Sequence, residues 1–415
     1  MRRNRLPLAA LVVTLCVASF TGCECSSSQV VAPPLPPLSA VVLTPATDTL
    51  VVGAQQLFIA TAFDTNDVAV PGAAFTWVSG DPRVISVSRT GLVTALGEGV
   101  TTLIASAGGF ADTAIVAVIV QTGWYAQTSS TTNDLNGVFF AADGRRGWAV
   151  GDAGTVVRST DAGASWTTQT SSTVADLQDV WFTTDSTGFA AGTGGTIMRS
   201  RNGGVSWSRL NNTGTTDALF GVCFADTAHG WAVGANGTIL RTANGGASWS
   251  KQNPTAAQLN SVSFSDTSNG WAVGETGVIV GTHDGGRSWY IVQPAVTALG
   301  LRAVWRLSNT RAVAGGVTGA NPFTTATADS LQWGLGSFGA ANQVDGLHMV
   351  SDQTGYAVGT NGTGLVLKTL DGGLNWAPQV SNSVQALNDV WFVDALRGWA
   401  VGAGGRIVHT SKGGL

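Results

Sequence analysis

GWAVGANGTILRTANGGASW, residues 230–249, is the stretch that decides the fold. Two runs of aromatic, β-branched and aliphatic residues flank a turn made of Gly234, Ala235, Asn236 and Gly237, and a second turn ends on Trp249. Such runs between Gly turns predict short strands. Near copies recur over most of the chain. The Trp that ends the second turn falls at Trp124, Trp166, Trp207, Trp249, Trp289, Trp333 and Trp376, a period of about 42 residues. A second aromatic series falls at Trp148, Phe189, Trp231, Trp271, Tyr356 and Trp399, with Val313 in the fifth place. Four short strands at this period predict a β-propeller.

The third copy shows the expected blade. LFGVCFAD lies nearest the axis, followed by GWAVG, TILRT and WSKQN. The Gly234 to Gly237 turn reads as a hairpin, because a phosphate loop needs a following helix and usually a Lys. The last copy ends at GRIVHTSKGGL, one strand short of a blade, while GWYAQTSSTTNDL (123–135) matches SWTTQTSSTVADL (165–177). Residues 123–130 are therefore expected to supply the outer strand of a seventh blade. That pairing would leave no open sheet edge.

The rest of the chain sets the context. Its 415 residues carry only 11% charged side chains but 55 Gly and 15 Trp, which reads as all-β and as more than one unit. MRRNR followed by the apolar run LPLAALVVTLCVASF reads as a signal peptide over 1–22; the run is too short for a comfortable membrane span. FTGC resembles a bacterial lipobox, with Cys23 as the lipid-attachment residue; the alternative is an ordinary signal with Cys23 and Cys25 free to pair. Glu24 in place of Asp favours outer-membrane sorting by analogy with lipoproteins. Residues 23–38, rich in Ser and then Pro, are expected to act as a spacer. Loss of the three N-terminal Arg leaves 18 basic against 25 acidic residues, a net charge of −7. That balance argues against nucleic acid, which favours basic faces. Cys223 reads as a small core residue.

Residues 39–121 form β-rich runs between turns, the pattern of a small β-sandwich. LTP at the start, WVSGDP at 77–82 and VSRTGLVTALGEG resemble the bacterial Ig-like domain, group 2. In that family such domains are spacers or adhesive modules on cell surfaces. Trp77 is expected as the core aromatic.

Residues 122–415 hold the repeat. Its second turn resembles the Asp-box, S/T-x-D-x-G-x-x-W: STDAGASW, THDGGRSW and TLDGGLNW match, SRNGGVSW and TANGGASW carry Asn, and TADSLQW has lost a residue and the Gly. Asp161, Asn202, Asn244, Asp284, Asp329 and Asp371 are expected to accept hydrogen bonds from nearby backbone N–H groups. Interchange with Asn fits that local role. It does not fit calcium, which takes six to eight oxygens. His229, His283, His348 and His409 show no metal-ligand spacing, so no metal or cofactor is expected. The Asp-box also occurs in sialidases, whose site needs an Arg cluster and a Tyr–Glu pair. Glu98, Glu275, Tyr125, Tyr290 and Tyr356 form no recognisable set of that kind, and no catalytic residue is assigned.

A basic position precedes each box: Arg158, Arg199, Arg241 and Lys368, with Gly281 and His409 at the same point of other copies. Each would cover its neighbour's Trp with its stem, or together they would bind an anion or acidic peptide.

The consensus GWAVGxxGTIxRTxDGGxSW resembles the photosystem II assembly-factor propellers and their relatives in non-photosynthetic bacteria. The resemblance spans 123–415 and is weakest in the fifth blade, VTGANPFTTATADSLQW, which reads as drift or as a contact site. It implies a seven-bladed propeller that binds protein partners without enzymatic activity. With the lipobox and the Ig-like unit, the expectation is a monomeric, lipid-anchored cell-surface protein presenting a partner site. The alternatives are an assembly factor for an envelope complex, or a glycan-binding or sialidase-like propeller.

Overall fold

A computed structural model describes residues 36–119, 122–211, 213–292, 297–308, 311–317, 322–327, 330–335, 338–339 and 342–415. Cys23 and Asp329 lie outside the described residues. Strands form nearly all the regular structure, and no α-helix occurs among the described residues. The chain divides into two units after Ile119.

In the first unit, Thr47–Val51, Phe110–Ile119, Gly99–Ala107 and Thr76–Ser79 form a four-stranded sheet in that order, and Gln55–Leu57, Leu92–Ala95 and Ile85–Val87 form a three-stranded one. Leu38–Thr44 pairs with Ile59–Asp64. Alternation along Gly99–Ala107 turns Leu103, Ala105 and Ala107 inward and leaves Val100 and Thr102 outside. The core aromatic is Phe58, 1% exposed. Trp77, expected at the centre, is only half-buried and packs against the core from its margin. Its strand lies at the end of the sheet, so one flank of the indole has no neighbour strand to cover it.

Among the described residues the second unit contains seven four-stranded antiparallel sheets. Their first strands are Leu135–Phe140, Leu177–Phe182, Leu219–Phe224, Leu259–Phe264, Leu301–Ser308, Gln343–Met349 and Leu387–Phe392, here sheets one to seven. Sheets one to six are meanders of consecutive strands. Sheet seven takes Leu387–Phe392, Gly398–Gly402 and Arg406–Thr410 from one end of the unit and Tyr125–Gln127 from the other; Tyr125 pairs with His409 and Gln127 with Ile407. First strands lie against one another in chain order, and that of sheet seven lies against that of sheet one.

The second strands read GWAVG in four of the seven sheets, and these four are buried along their whole length. Each sheet is covered on both faces by its neighbours, which is why these strands read as continuous apolar runs. In five sheets the aromatic of this strand stacks on the last residue of the next first strand. The pairs are Trp148 on Phe182 (3.6 Å), Phe189 on Phe224 (4.4 Å), Trp231 on Phe264 (3.4 Å), Tyr356 on Phe392 (3.7 Å) and Trp399 on Phe140 (3.6 Å). The rings of four of these pairs lie nearly parallel and almost directly over one another. Between sheets four and five the pattern changes. Arg306 takes the Phe position, and its guanidinium lies 5.7 Å from the ring of Trp271.

The turn from Ala235 to Thr238 is a two-residue hairpin turn. Asn236 has φ 55° and Gly237 φ 66°, and Thr238 N–H donates to Ala235 O at 3.0 Å. Two successive left-handed residues make the turn whose twist suits a hairpin, and Asn-Gly supplies them at low cost. A Cβ at Gly237 would collide with the carbonyl oxygen of Thr255.

Candidate functional site

Each of the seven first strands sends its second residue to the mouth of one cavity, except that in sheet six, which begins one residue earlier, it is the third. These residues are Asn136, Gln178, Phe220, Asn260, Arg302, Asp345 and Asn388. A bulge beside this position turns it toward the opening. Three of the seven are Asn, and each donates to the first-strand carbonyl of the following sheet: Asn136 to Leu177 O (3.0 Å), Asn260 to Leu301 O (2.7 Å) and Asn388 to Leu135 O (2.9 Å). Between sheets five and six the link is an ion pair, Arg302 Nη1 to Asp345 Oδ1 at 2.8 Å. With Gln258 and Glu275, these side chains surround a mouth of about 360 Å³.

Below the mouth the cavity narrows to a chamber of about 120 Å³. The next position of the first strands lines it. Gly137, Gly221 and Gly346 keep their backbones close to the next sheet, since a Cβ at Gly346 would press on the Cα of Asp389. Asp179 and Asp389 occupy the same position in sheets two and seven. Each carboxylate bridges two sheets. Asp179 accepts from Val180 N–H (2.7 Å) and from Val222 N–H of sheet three (2.8 Å). Asp389 accepts from Val390 N–H (2.8 Å) and from Val138 N–H of sheet one (2.9 Å). Burial pushes both carboxyls well above the ordinary carboxylate range, and the charge of Asp179 pushes Asp389 further.

Two positions further along, the first strands form the floor. Trp391 is its centre: Phe139 lies 4.5 Å away, the His348 ring stacks on it at 4.6 Å, and Trp181 and Trp305 meet it edge-on at 5.4 and 5.8 Å. Trp181, Trp305 and Trp391 line the same chamber as the two carboxyls. His348 Nδ1 accepts from Phe392 N–H at 2.7 Å, and burial lowers this imidazole to about 3, so it stays neutral.

The Asp-box residues lie away from the cavity and bond locally. Asp284 accepts from Ser288 N–H (3.0 Å) and the Ser288 hydroxyl (2.6 Å), and these donors hold it well below the usual carboxylate range. Asp161 and Asp371 make the same bonds with Ser165 and Asn375. In Asn202 and Asn244 the oxygen keeps the backbone N–H, while Nδ2 donates to the hydroxyl of Ser206 (2.9 Å) and Ser248 (2.8 Å). The serine hydroxyl reverses its role and the turn is unchanged. Asn244→Asp is therefore expected to change stability by less than about 0.5 kcal/mol, and Asn244→Ala to cost about 1 kcal/mol. Urea unfolding of the two variants checks this; equal losses would reject it.

The basic positions pair across the ladder with the buried aromatics: Arg158 with Trp148, Arg199 with Phe189, Arg241 with Trp231 and Lys368 with Tyr356. Arg241 Nε donates to Gly285 O (2.7 Å) and Lys368 Nζ to Gly413 O (3.0 Å), both in the box turn of the next sheet. The guanidinium of Arg199 lies over Phe189 at 5.5 Å. The buried indoles reach the same turns: Trp148 donates to Gly203 O and Trp231 to Gly285 O. Trp271 meets Trp333 edge-on at 5.3 Å, and its Nε1 has no partner among the described residues.

Among the described residues no group of three or more His, Cys, Asp or Glu could hold a metal ion, and no helix is long and apolar enough to cross a membrane. Cys223 is 4% exposed, and burial pushes its thiol far above the range of a nucleophile. The sequence does not mark which residues line this central cavity. Its one signal is Asp in LQDVWF and LNDVWF at a position where three other copies have Gly.

Comparison with known proteins agrees with this architecture. Residues 38–118 match the bacterial Ig-like domain (group 2), and residues 116–213 and 203–297 match the family described as photosynthesis system II assembly factor YCF48. No curated protein matches the chain. Among solved structures, YCF48 from Cyanidioschyzon merolae is 20% identical, with a TM-score of 0.57 over 69% of this chain and 98% of that one. A structure of YCF48 bound to D1 peptide is 19% identical, with a TM-score of 0.58 over 71% and 98%. Virginiamycin B lyase from Staphylococcus aureus, a catalytically inactive form with quinupristin, is 11% identical, with a TM-score of 0.56 over 70% and 99%. At these identities the likeness is one of fold.

Proposed function

We propose, from the likeness of residues 116–297 to the YCF48 assembly-factor family, that this chain is a non-enzymatic, lipid-anchored cell-surface protein whose propeller presents a site for a protein partner. The seven sheets are the blades of one closed propeller, and Tyr125–Gln127 completes the seventh. Residues 1–22 are the signal, Cys23 carries the lipid, residues 23–38 are a linker, 39–121 a spacing domain and 122–415 the partner-binding ring. The chain acts as a monomer on the bacterial envelope, at the outer membrane.

The observation that carries the reading is the mouth of the cavity. Side chains from all seven sheets surround one opening, and amides dominate it. Amides offer both donors and acceptors, as a peptide backbone does. A solved relative of the same fold is described as bound to a peptide, which supports a protein ligand over a small one. An assembly role in an envelope complex is the second reading, favoured by the same family match.

A photo-crosslinking residue at Gln178 or Phe220 in the mouth, with one at the exposed Thr167 as control, tests the site. One envelope protein captured from both mouth positions and not from Thr167 is the expected result. The same set of proteins from all three positions would reject the site. Cys23→Ser is expected to move the protein from the membrane to the soluble fraction, and a wild type already soluble would remove the anchor.

A further inference from the structure

We propose that the chamber below the mouth receives an alkylammonium group, carried by the partner as a lysine side chain or an amino terminus; this rests on the partner-binding reading above. Three independent features of the chamber converge on that chemistry.

The first is the charge of the walls. Asp179 and Asp389 face the same chamber, and each bonds only to backbone N–H groups among the described residues. Among the described residues the one cationic side chain lining the cavity, Arg302, is engaged by Asp345 at the mouth. An anionic ligand would meet two carboxyls, whereas a cation would stabilise their ionised form. The second is the floor. Trp181, Trp305 and Trp391 present an aromatic surface to the same chamber. A cation within about 6 Å of such rings is attracted by their quadrupoles, an effect that an alcohol or an amide does not gain. The third is size. A chamber of about 120 Å³ matches about four waters by liquid volume. That admits an ammonium head and its first methylenes. The two carboxyls are too few to hold a bare divalent cation, which prefers six or more oxygens. An alkylammonium needs only two acceptors and the aromatic faces.

The mouth then has a matching task. A lysine that reaches the chamber leaves its own peptide groups at the level of Asn136, Gln178, Asn260 and Asn388, side chains able to bond a backbone.

The test uses the full chain and calorimetric titration with n-butylammonium and n-butanol, which share an alkyl group and differ in charge. The amine is expected to bind about ten-fold tighter than the alcohol at pH 8. The difference should shrink toward pH 5, where the two carboxyls hold their protons. Asp179→Asn and Asp389→Asn should each weaken the amine and leave the alcohol unchanged, with melting curves confirming that the variants fold. If they do not fold, the comparison of amine with alcohol on the unaltered chain still decides. Equal binding of the two probes, no saturable amine binding, or an amine affinity independent of pH would overturn the proposal. A second pair, a blocked pentapeptide with a central lysine and its acetyl-lysine form, separates the sources. Binding of the lysine form alone supports a side chain of the partner, and binding of n-butylammonium without either peptide overturns that assignment. Crosslinking from Gln178 that persists while the amine fails to bind would remove this inference and leave the partner site standing.

Discussion

Replacing Trp124 by alanine is expected to destabilise the second unit by about 3–5 kcal/mol, more than any other single change in its repeated turns. Trp124 is fully buried. Its ring meets Phe392 edge-on at 5.7 Å and Tyr356 at 6.4 Å, and its Nε1 donates to Gln379 Oε1 at 3.0 Å. These contacts join sheets six and seven. The position is also a seam, because the seventh box is assembled from both ends of the unit. Thr410 Oγ1 accepts from Gly414 N–H at 2.8 Å, as Ser159 accepts from Gly163 N–H in the first box. Gly123 N–H then donates to Leu415 O, and Trp124 supplies the indole. In the other boxes the Trp is held by the same run of chain as its turn. Trp124 is held instead by packing, by Asn382 Nδ2 donating to its carbonyl at 2.7 Å, and by the three-residue strand that follows it. Trp249→Ala, at a partly exposed Trp in an uninterrupted box, should cost markedly less. Urea unfolding monitored by circular dichroism measures both. Equal losses at the two positions would show that the seam carries no special burden.

Stability of the second unit is expected to fall as pH rises from about 5 to 9, by several kcal/mol in all, because two partly buried carboxyls that line one cavity must both ionise. The folded values of Asp179 and Asp389 lie above the ordinary 3.8 of an unfolded carboxyl. Between the two values the folded chain binds more protons than the unfolded one. The advantage is therefore complete below the unfolded value and is lost as pH climbs through the folded ones. The turn carboxyls act in the opposite sense. Asp284 and Asp217 are held below the ordinary range, first by the hydroxyl of Ser288 and the ammonium of Lys251 respectively, so their contribution is present above about pH 4 and lost in acid. A maximum in weakly acidic solution follows. In Asp179→Asn/Asp389→Asn each amide keeps one acceptor and turns its NH₂ toward the other backbone donor. The double variant should thus lose about 1–2 kcal/mol at pH 5 and exceed the wild type at pH 9. Denaturation midpoints over that range would show crossing curves. Parallel curves would mean that the two groups do not titrate as a buried pair.

The sheets were legible in the sequence because each has to satisfy the same contacts. Trp148 and Trp231 recur at the same place because each stacks on the next first strand and donates to the next box. The match of 123–135 to 165–177 pointed to the pairing of Tyr125 with His409, since equal sequence implies equal neighbours. The centre was not legible. Residues that converge there are about 42 positions apart and vary from copy to copy, and their meeting depends on a bulge that composition does not signal. Asp179 and Asp389 read as variation until the two strands face one chamber. Trp77 shows the same limit in the first unit: the resemblance to the Ig-like domain marked it as core, and only sheet order reveals that its strand is at an end.

The divided seventh sheet also has a consequence in time. Hairpins such as Leu219–Phe224 with Gly230–Gly234 join residues close in sequence and can form while the chain is still being made. Tyr125–Gln127 cannot. Its partner Arg406–Thr410 is synthesised after all the other strands of the unit. The earliest strand of the unit thus waits unpaired until the last is available, and the final step closes a loop of about 280 residues. During that interval both prospective partners are bare edges, open to the same strands of a neighbouring chain. Crowding during synthesis, more than any weakness of the finished fold, is where this protein is most exposed to misassembly.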